Sequence, residues 1–323
     1  VPQPINVTYY EQRASAGLII TEATPISAMG HGYPLLPGIY TDAQVAGWKK
    51  ITDAVHAKGG KIFVQLMHTG RVSHQDNLPA GAQVVGPSSE VCPGEMWVDK
   101  SASMQPHSVP HAVSEVEIKY VVREYANAAK LAVEAGFDGI ELHAANGYLM
   151  EQFLNPNVNK RTDGYGANIA GRNRFVIEVA DACIKAIGGN KVGIRISPQG
   201  VFNSTGDFAE LEPQYLTLTR DLSKMGLVYL HLVDHSAMGA PPVSADLKRK
   251  IREAFNGTYI AVGGFTAQTA EKALEAKEAD LIAFGRPFIS NPDLVEKLKT
   301  GAKLVDPDMS TFYTPGEKGY TDY

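Results

Sequence analysis

Short apolar runs alternate with longer stretches in which apolar residues return every third or fourth position, and the alternation continues along the whole chain. The runs lie at 18–22, 61–67, 139–143, 192–197, 228–233, 259–263 and 281–285. They are nearly continuous in Val, Ile and Leu, which predicts strands covered on both faces rather than strands with one wet face. The periodic stretches at 6–16, 42–58, 114–134, 172–187, 213–225, 245–255, 267–276 and 291–300 predict helices. Ser114 followed three residues later by Glu117 is a capping box, and Gly59-Gly60 and Gly136 are helix stops. Seven strands joined by helices imply a parallel sheet, either doubly wound or closed into a barrel.

Polar residues at the strand ends favour the barrel. Glu22, Gln65, His143, Arg195 and Asp234 each stand near the end of an apolar run, and the last two runs end in Gly263-Gly264 and Gly285-Arg286. A (β/α) barrel gathers its chemistry at that rim. The expected fold is therefore α/β, a (β/α)8 TIM barrel with its first barrel strand missing from this chain and its natural place upstream of Val1. One domain over 1–323 is expected, with the long Gly- and Pro-bearing connection at 68–112 as a lid.

Composition narrows the function. Of the 323 residues, 44% are hydrophobic and 20% charged, with a net charge of −5 and no basic block, so nucleic acid and anionic membranes are poor partners. Cys92 and Cys183 have no metal-type spacing, which argues against zinc, iron–sulfur and disulfide frameworks and fits a reducing, cytoplasmic setting. No apolar run is long enough for a membrane helix.

The densest candidate chemistry lies in FDGIELHAANGYLMEQFLNP, residues 137–156. His143, Asn146 and Tyr148 follow a buried strand within six residues. An imidazole and a carboxamide can donate to one oxygen while a phenol gives up a proton nearby. Taken singly, each residue is as well explained as a satisfied core histidine, a turn former and a packing aromatic. Gly263, Gly264, Gly285 and Arg286 lie where many (β/α) barrels hold a phosphate, with turn punctuation as the plainer reading of the glycines. Gln65 and Arg195 are long polar groups on apolar strands; an Arg there needs an anion or a carbonyl-rich ligand, or else Glu22 or Glu141 as partner.

Several motifs in order give a more specific signal: YYEQRASAGLIITEAT, VQLMHTGR, HAANGYLMEQFLNP, NKRTDGYGANIAGRNRF, GIRISP, AVGGFT, AFGRPFISNPDL and EKGYTDY. Together they resemble the old yellow enzyme family of FMN-dependent ene-reductases, from Tyr9 onward. The resemblance implies FMN at the barrel mouth, with Ala23 and Gln65 at the flavin ring and Arg195 near its ring carbonyl. It places the phosphate at Gly263, Gly264, Gly285 and Arg286. Phe312 and Tyr313 match an aromatic pair that closes over the site, and Met67 stands where many relatives have Trp. His143 and Asn146 match the pair that holds the substrate oxygen, and Tyr148 the proton donor. The implied reaction is a ping-pong reduction of the activated C=C bond of enones or nitroalkenes, with NAD(P)H as hydride donor, by a monomer or homodimer. The alternative is a truncated, catalytically impaired flavin-binding barrel fragment.

Overall fold

The computed structural model describes residues 1–323. Seven parallel strands pair in chain order: β1 (Ile19–Pro25), β2 (Ile62–Met67), β3 (Gly139–Ala144), β4 (Val192–Ile196), β5 (Tyr229–Val233), β6 (Thr258–Val262) and β7 (Leu281–Ile282). Helices α1 (Pro4–Gln12), α2 (Asp42–Ala57), α3 (Glu115–Glu134), α4 (Leu149–Leu154), α5 (Ile169–Ile187), α6 (Leu211–Lys224), α7 (Ala245–Ala254), α8 (Ala267–Glu275), α9 (Arg286–Ser290) and α10 (Leu294–Thr300) alternate with them. An all-parallel sheet with sequential neighbours is the arrangement of (β/α) barrels, and β1 and β7 are its two edges. Between strands and helices lies a core of 52 buried residues, which takes up the outward face of the central strands.

The capping box at Ser114 and Glu117 forms as expected, with Ser114 Oγ accepting from the Glu117 amide and the Glu117 carboxylate accepting from the Ser114 amide. Three sequence expectations need correction. The helix at 42–58, for which the sequence predicts Asp42 as N-cap, is capped by Thr41 instead, with Gln44 reaching back to the Thr41 amide. The last strand ends at Ile282, because Pro287 at the start of a helical turn turns 286–290 into the short α9. Glu22 is not at a strand end: β1 runs on to Pro25 through an irregularity between Ile20 and Ala23, and Glu22 turns outward to accept a hydrogen bond from Tyr10 Oη at 3.1 Å.

Inside the sheet the floor is apolar. The Phe63 and Tyr229 rings pack at a tilt of 36° with their centroids 5.7 Å apart, and Ile260 joins them. They fit because Gly139 and Gly193 lie beneath: a Cβ on Gly139 would stand 2.4 Å from the Phe63 ring, and one on Gly193 2.2 Å from the Tyr229 ring. One residue pair up, the interior becomes polar, with Gln65, Glu141, Arg195 and His231 each two positions beyond a floor residue.

Two ties complete the frame. Arg71 donates to the carbonyls of Glu90 and Val91 and to those of Asn203 and Ser204, joining the 68–112 segment to the connection after β4. Arg13, buried under the Tyr9 ring, donates to the carbonyls of Tyr9, Phe288, Ile289 and Tyr320, and so fastens α1, α9 and the C-terminal residues together.

Candidate active site

β3 delivers His143 to the rim, and the chain then turns sharply through Ala145–Tyr148 into α4. Asn146 has φ +61° and Gly147 φ +76°, two consecutive left-handed residues. Such a turn survives only where its surroundings hold it. The Asn146 amide donates to Ser197 Oγ at 2.9 Å and its carbonyl accepts from Asn203 Nδ2 at 2.7 Å. The Gly147 amide donates to Glu151 Oε2 at 2.5 Å and its carbonyl accepts from Gln152 Nε2 at 2.8 Å. Glycine is required at 147, since a Cβ there would stand 2.5 Å from the Phe202 carbonyl oxygen.

The turn brings the three predicted residues together. The rings of His143 and Tyr148 are 5.1 Å apart, edge to face. His143 Nδ1 and Asn146 Oδ1 are buried and have no hydrogen-bond partner in the chain. Burial, and then the Arg195 charge, hold the His143 pKa down to about 3, so its imidazole is neutral. Burial, with Tyr33 adding to it, raises the Tyr148 phenol well above its usual value, so Tyr148 keeps its proton. Tyr148 Oη donates to Tyr33 Oη at 3.3 Å. Tyr33 escaped the sequence reading, because it lies in the long loop after β1, where spacing carries no signal.

Beneath this rim lies the polar layer. Gln65 Nε2 donates to Glu141 Oε1 at 2.7 Å, and His231 Nδ1 lies 2.9 Å from Glu141 Oε2. Glu141 is fully buried. Burial pushes its carboxyl up, and the His231 ring, the Arg195 guanidinium and the Gln65 hydrogen bond outweigh it, leaving Glu141 below the usual carboxylate range. His231 is itself lowered by burial, against the pull of Glu141. Glu141 is thus held as a carboxylate, with Arg195 supplying an opposite charge. Of the two partners expected for Arg195, Glu141 acts on it and Glu22 faces away. Arg195 Nε is buried without a partner, as is His231 Nε2.

The remaining predicted residues are placed as follows. Ala23 pairs with Gln65 across β1 and β2, and Met67 ends β2, buried. Gly263 and Gly264 follow β6; a Cβ on Gly263 would meet the Asp234 carbonyl oxygen at 2.7 Å, and Gly264 has φ +68°. Gly285 and Arg286 are exposed after β7, and the Arg286 side chain makes no ion pair. Tyr313 is fully exposed, near enough to Tyr33 and Tyr148 to affect both, and its ring lies 6.3 Å from that of Phe312.

Partnerless buried donors and acceptors at the mouth, with open space at Gly285 and the unpaired Arg286 beside it, suit a ligand bearing several carbonyl and ring-nitrogen groups and an anionic tail. FMN has that composition, so the residues present fit it.

Comparison with known proteins agrees. The sequence profile of the NADH:flavin oxidoreductase / NADH oxidase family, an FMN oxidoreductase family, matches residues 1–304. A probable flavin mononucleotide-dependent alkene reductase of Leishmania infantum is 42% identical, over 100% of this chain and 88% of its own length. The structure of morphinone reductase in complex with tetrahydroNAD superposes with a TM-score of 0.94 at 44% identity, covering 100% of this chain and 88% of the other. The old yellow enzyme homologue from Zymomonas mobilis gives 0.95 at 39%, covering 100% and 90%. The chain belongs to the NADH:flavin oxidoreductase / NADH oxidase family, as an old yellow enzyme-type, FMN- and NAD(P)H-dependent oxidoreductase with a TIM-barrel fold.

Proposed function

We propose that this protein reduces the activated C=C bond of α,β-unsaturated carbonyl or nitro compounds, with NAD(P)H and substrate using one mouth in turn. The observation that carries the reading is the turn after β3, which gathers His143, Asn146 and Tyr148, sets the His143 and Tyr148 rings 5.1 Å apart and leaves His143 Nδ1 buried and unpaired. The alkene reductase named among the relatives supports the reaction class.

His143, as a neutral imidazole, and the Asn146 carboxamide each donate a hydrogen bond to the carbonyl or nitro oxygen. The two bonds draw electron density toward that oxygen, make the β-carbon electrophilic and stabilise the enolate-like charge of the transition state. Tyr148 delivers a proton to the α-carbon; its raised pKa keeps the phenol charged with that proton at every working pH. FMN, when bound, supplies the hydride chemistry. Ala23, Gln65 and Arg195 would hold its ring system, and Gly263, Gly264, Gly285 and Arg286 its phosphate. Met67 and Tyr313 line the substrate side. In sum, NAD(P)H, a proton and the alkene give NAD(P)+ and the saturated product.

The same reading takes 1–323 as one FMN-binding barrel domain, with 68–112 as its lid through the Arg71 tie. It also takes the barrel as eight-stranded: β1 and β7 stand as open edges, and Leu281 on β7 is 45% exposed. The two buried free cysteines suit the cytoplasm.

The test is the visible spectrum of the purified chain before and after anaerobic NADPH. A flavin band that bleaches and returns on adding cyclohexenone is the expected result. A colourless chain that takes up no added FMN would favour the impaired-fragment reading instead.

A further inference from the structure

Glu151, on α4, is buried behind the turn. Its carboxylate is the best-served acceptor in the region. Oε2 accepts the Gly147 amide at 2.5 Å, and Oε1 accepts Ser197 Oγ at 2.8 Å and Tyr215 Oη at 3.3 Å. Ser197 Oγ in turn accepts the Asn146 amide at 2.9 Å. One carboxylate thus takes up the amides of both left-handed residues, Gly147 directly and Asn146 through Ser197.

We infer that Glu151 is a positioning residue for Asn146: its ionised carboxylate, acting through Gly147 and Ser197, holds the turn in the left-handed geometry that presents the Asn146 carboxamide to a substrate oxygen. The inference rests on the role proposed above for Asn146. An acceptor-only group suits the place, because three donors converge there and the backbone amide among them cannot rotate away. A carboxamide would set an NH2 group against one of those donors. A protonated carboxyl would carry its proton on Oε1, since the Gly147 amide cannot accept; Ser197 Oγ would then lose the acceptor that orients it toward the Asn146 amide.

The charge is conditional. No Lys or Arg pairs with Glu151. Tyr215, from α6, is the titratable side chain bonded to it. From α5, Arg172 is engaged by Gln214 and Glu210, and Arg71 is engaged by four backbone carbonyls. Burial raises the Glu151 pKa to about 7, against the three hydrogen bonds that favour the ionised form. Acidification through that range therefore protonates Glu151 and loosens the turn.

Two readouts on the full FMN-loaded chain test this. In the first, amide hydrogen exchange of 145–149 is compared between the native chain, Glu151→Gln and Ser197→Ala. Removing a charge-assisted buried hydrogen bond is expected to speed exchange in this turn about tenfold in both variants, with β3 unchanged. In the native chain, exchange corrected for intrinsic rate is expected to quicken as the pH falls through about 7, and in Glu151→Gln to lose that dependence. The second readout is half-saturation by cyclohexenone, expected to rise about tenfold in the variants. Unchanged exchange in the turn, or a pH response retained in Glu151→Gln, would overturn the inference. Should Glu151→Gln fail to fold, Ser197→Ala alone decides, since it cuts only the link to Asn146. If the native chain bleaches with NADPH but ignores cyclohexenone, the proposed function fails, and hydrogen exchange still decides whether Glu151 holds the turn.

Discussion

The two sides of the barrel mouth are built on opposite plans. At the β3–β4 side, the amides and carbonyls of Asn146 and Gly147 all have partners from within the chain, and the turn is walled in by Ser197, Asn203, Glu151 and Gln152. At the β6–β7 side, Gly264, Gly285 and Arg286 are exposed, nothing lies within 4 Å of where a Cβ on Gly285 would stand, and Arg286 has no ion pair. One side is shaped before any ligand arrives; the other is left for the ligand to complete. The chemistry explains why. Groups that polarise a reacting oxygen must be fixed to within about 0.5 Å, whereas an anionic tail is held by charge and backbone amides that tolerate adjustment.

This contrast can be broken most severely from beneath. Glu141→Leu removes the carboxylate that compensates Arg195 and bonds Gln65 and His231. A loss of about 3–5 kcal/mol of stability is expected in chemical denaturation, because a buried charge is left without its opposite. Glycine substitutions compare the two sides directly. Gly147→Ala forces a Cβ against the Phe202 carbonyl at positive φ and should destabilise by about 3 kcal/mol. Gly285→Ala, at an ordinary φ of −98° and with nothing within 4 Å of its Cβ, should change stability by no more than about 0.5 kcal/mol. Equal losses at the two sites would remove the contrast.

The remaining tests read function rather than stability. Tyr148→Phe should leave flavin reduction by NAD(P)H nearly intact and slow the enone half-reaction by about a hundredfold, as expected for a lost general acid. Equal slowing of both half-reactions in stopped flow would remove the acid assignment. Arg286→Gln should weaken FMN binding by about tenfold while leaving the enone step of the loaded protein unchanged, consistent with a charge-assisted contact. Flavin fluorescence titration reads that loss directly.

The sequence made the strands and the three rim residues readable for a local reason. Apolar runs, their stops and the HAANGY cluster are all short-range patterns, and the glycine ends of the last two strands are punctuation of the same kind. The interior layer was only half seen. Gln65 and Arg195 stood out as polar residues on apolar strands, but Glu141 entered only as a possible partner and His231 not at all. The missed signal is periodic: FVQLM, GIELH, GIRIS and YLHLV each place one polar residue two positions past a residue of the floor. Glu22 misled because it ends an apolar run, while the strand itself continues to Pro25. Tyr33, Asn203 and Glu151 could not be read, since each acts on the rim through a contact that spacing does not encode.

The guanidinium of Arg13 sets a schedule for making the molecule. The carbonyls it needs belong to Phe288, Ile289 and Tyr320, 275 to 307 positions later in the chain. At about 5–20 residues per second, a ribosome takes on the order of 15–60 s to supply them. For that interval Arg13 lacks those three acceptors, and this clasp of the fold closes only after Tyr320 has been made.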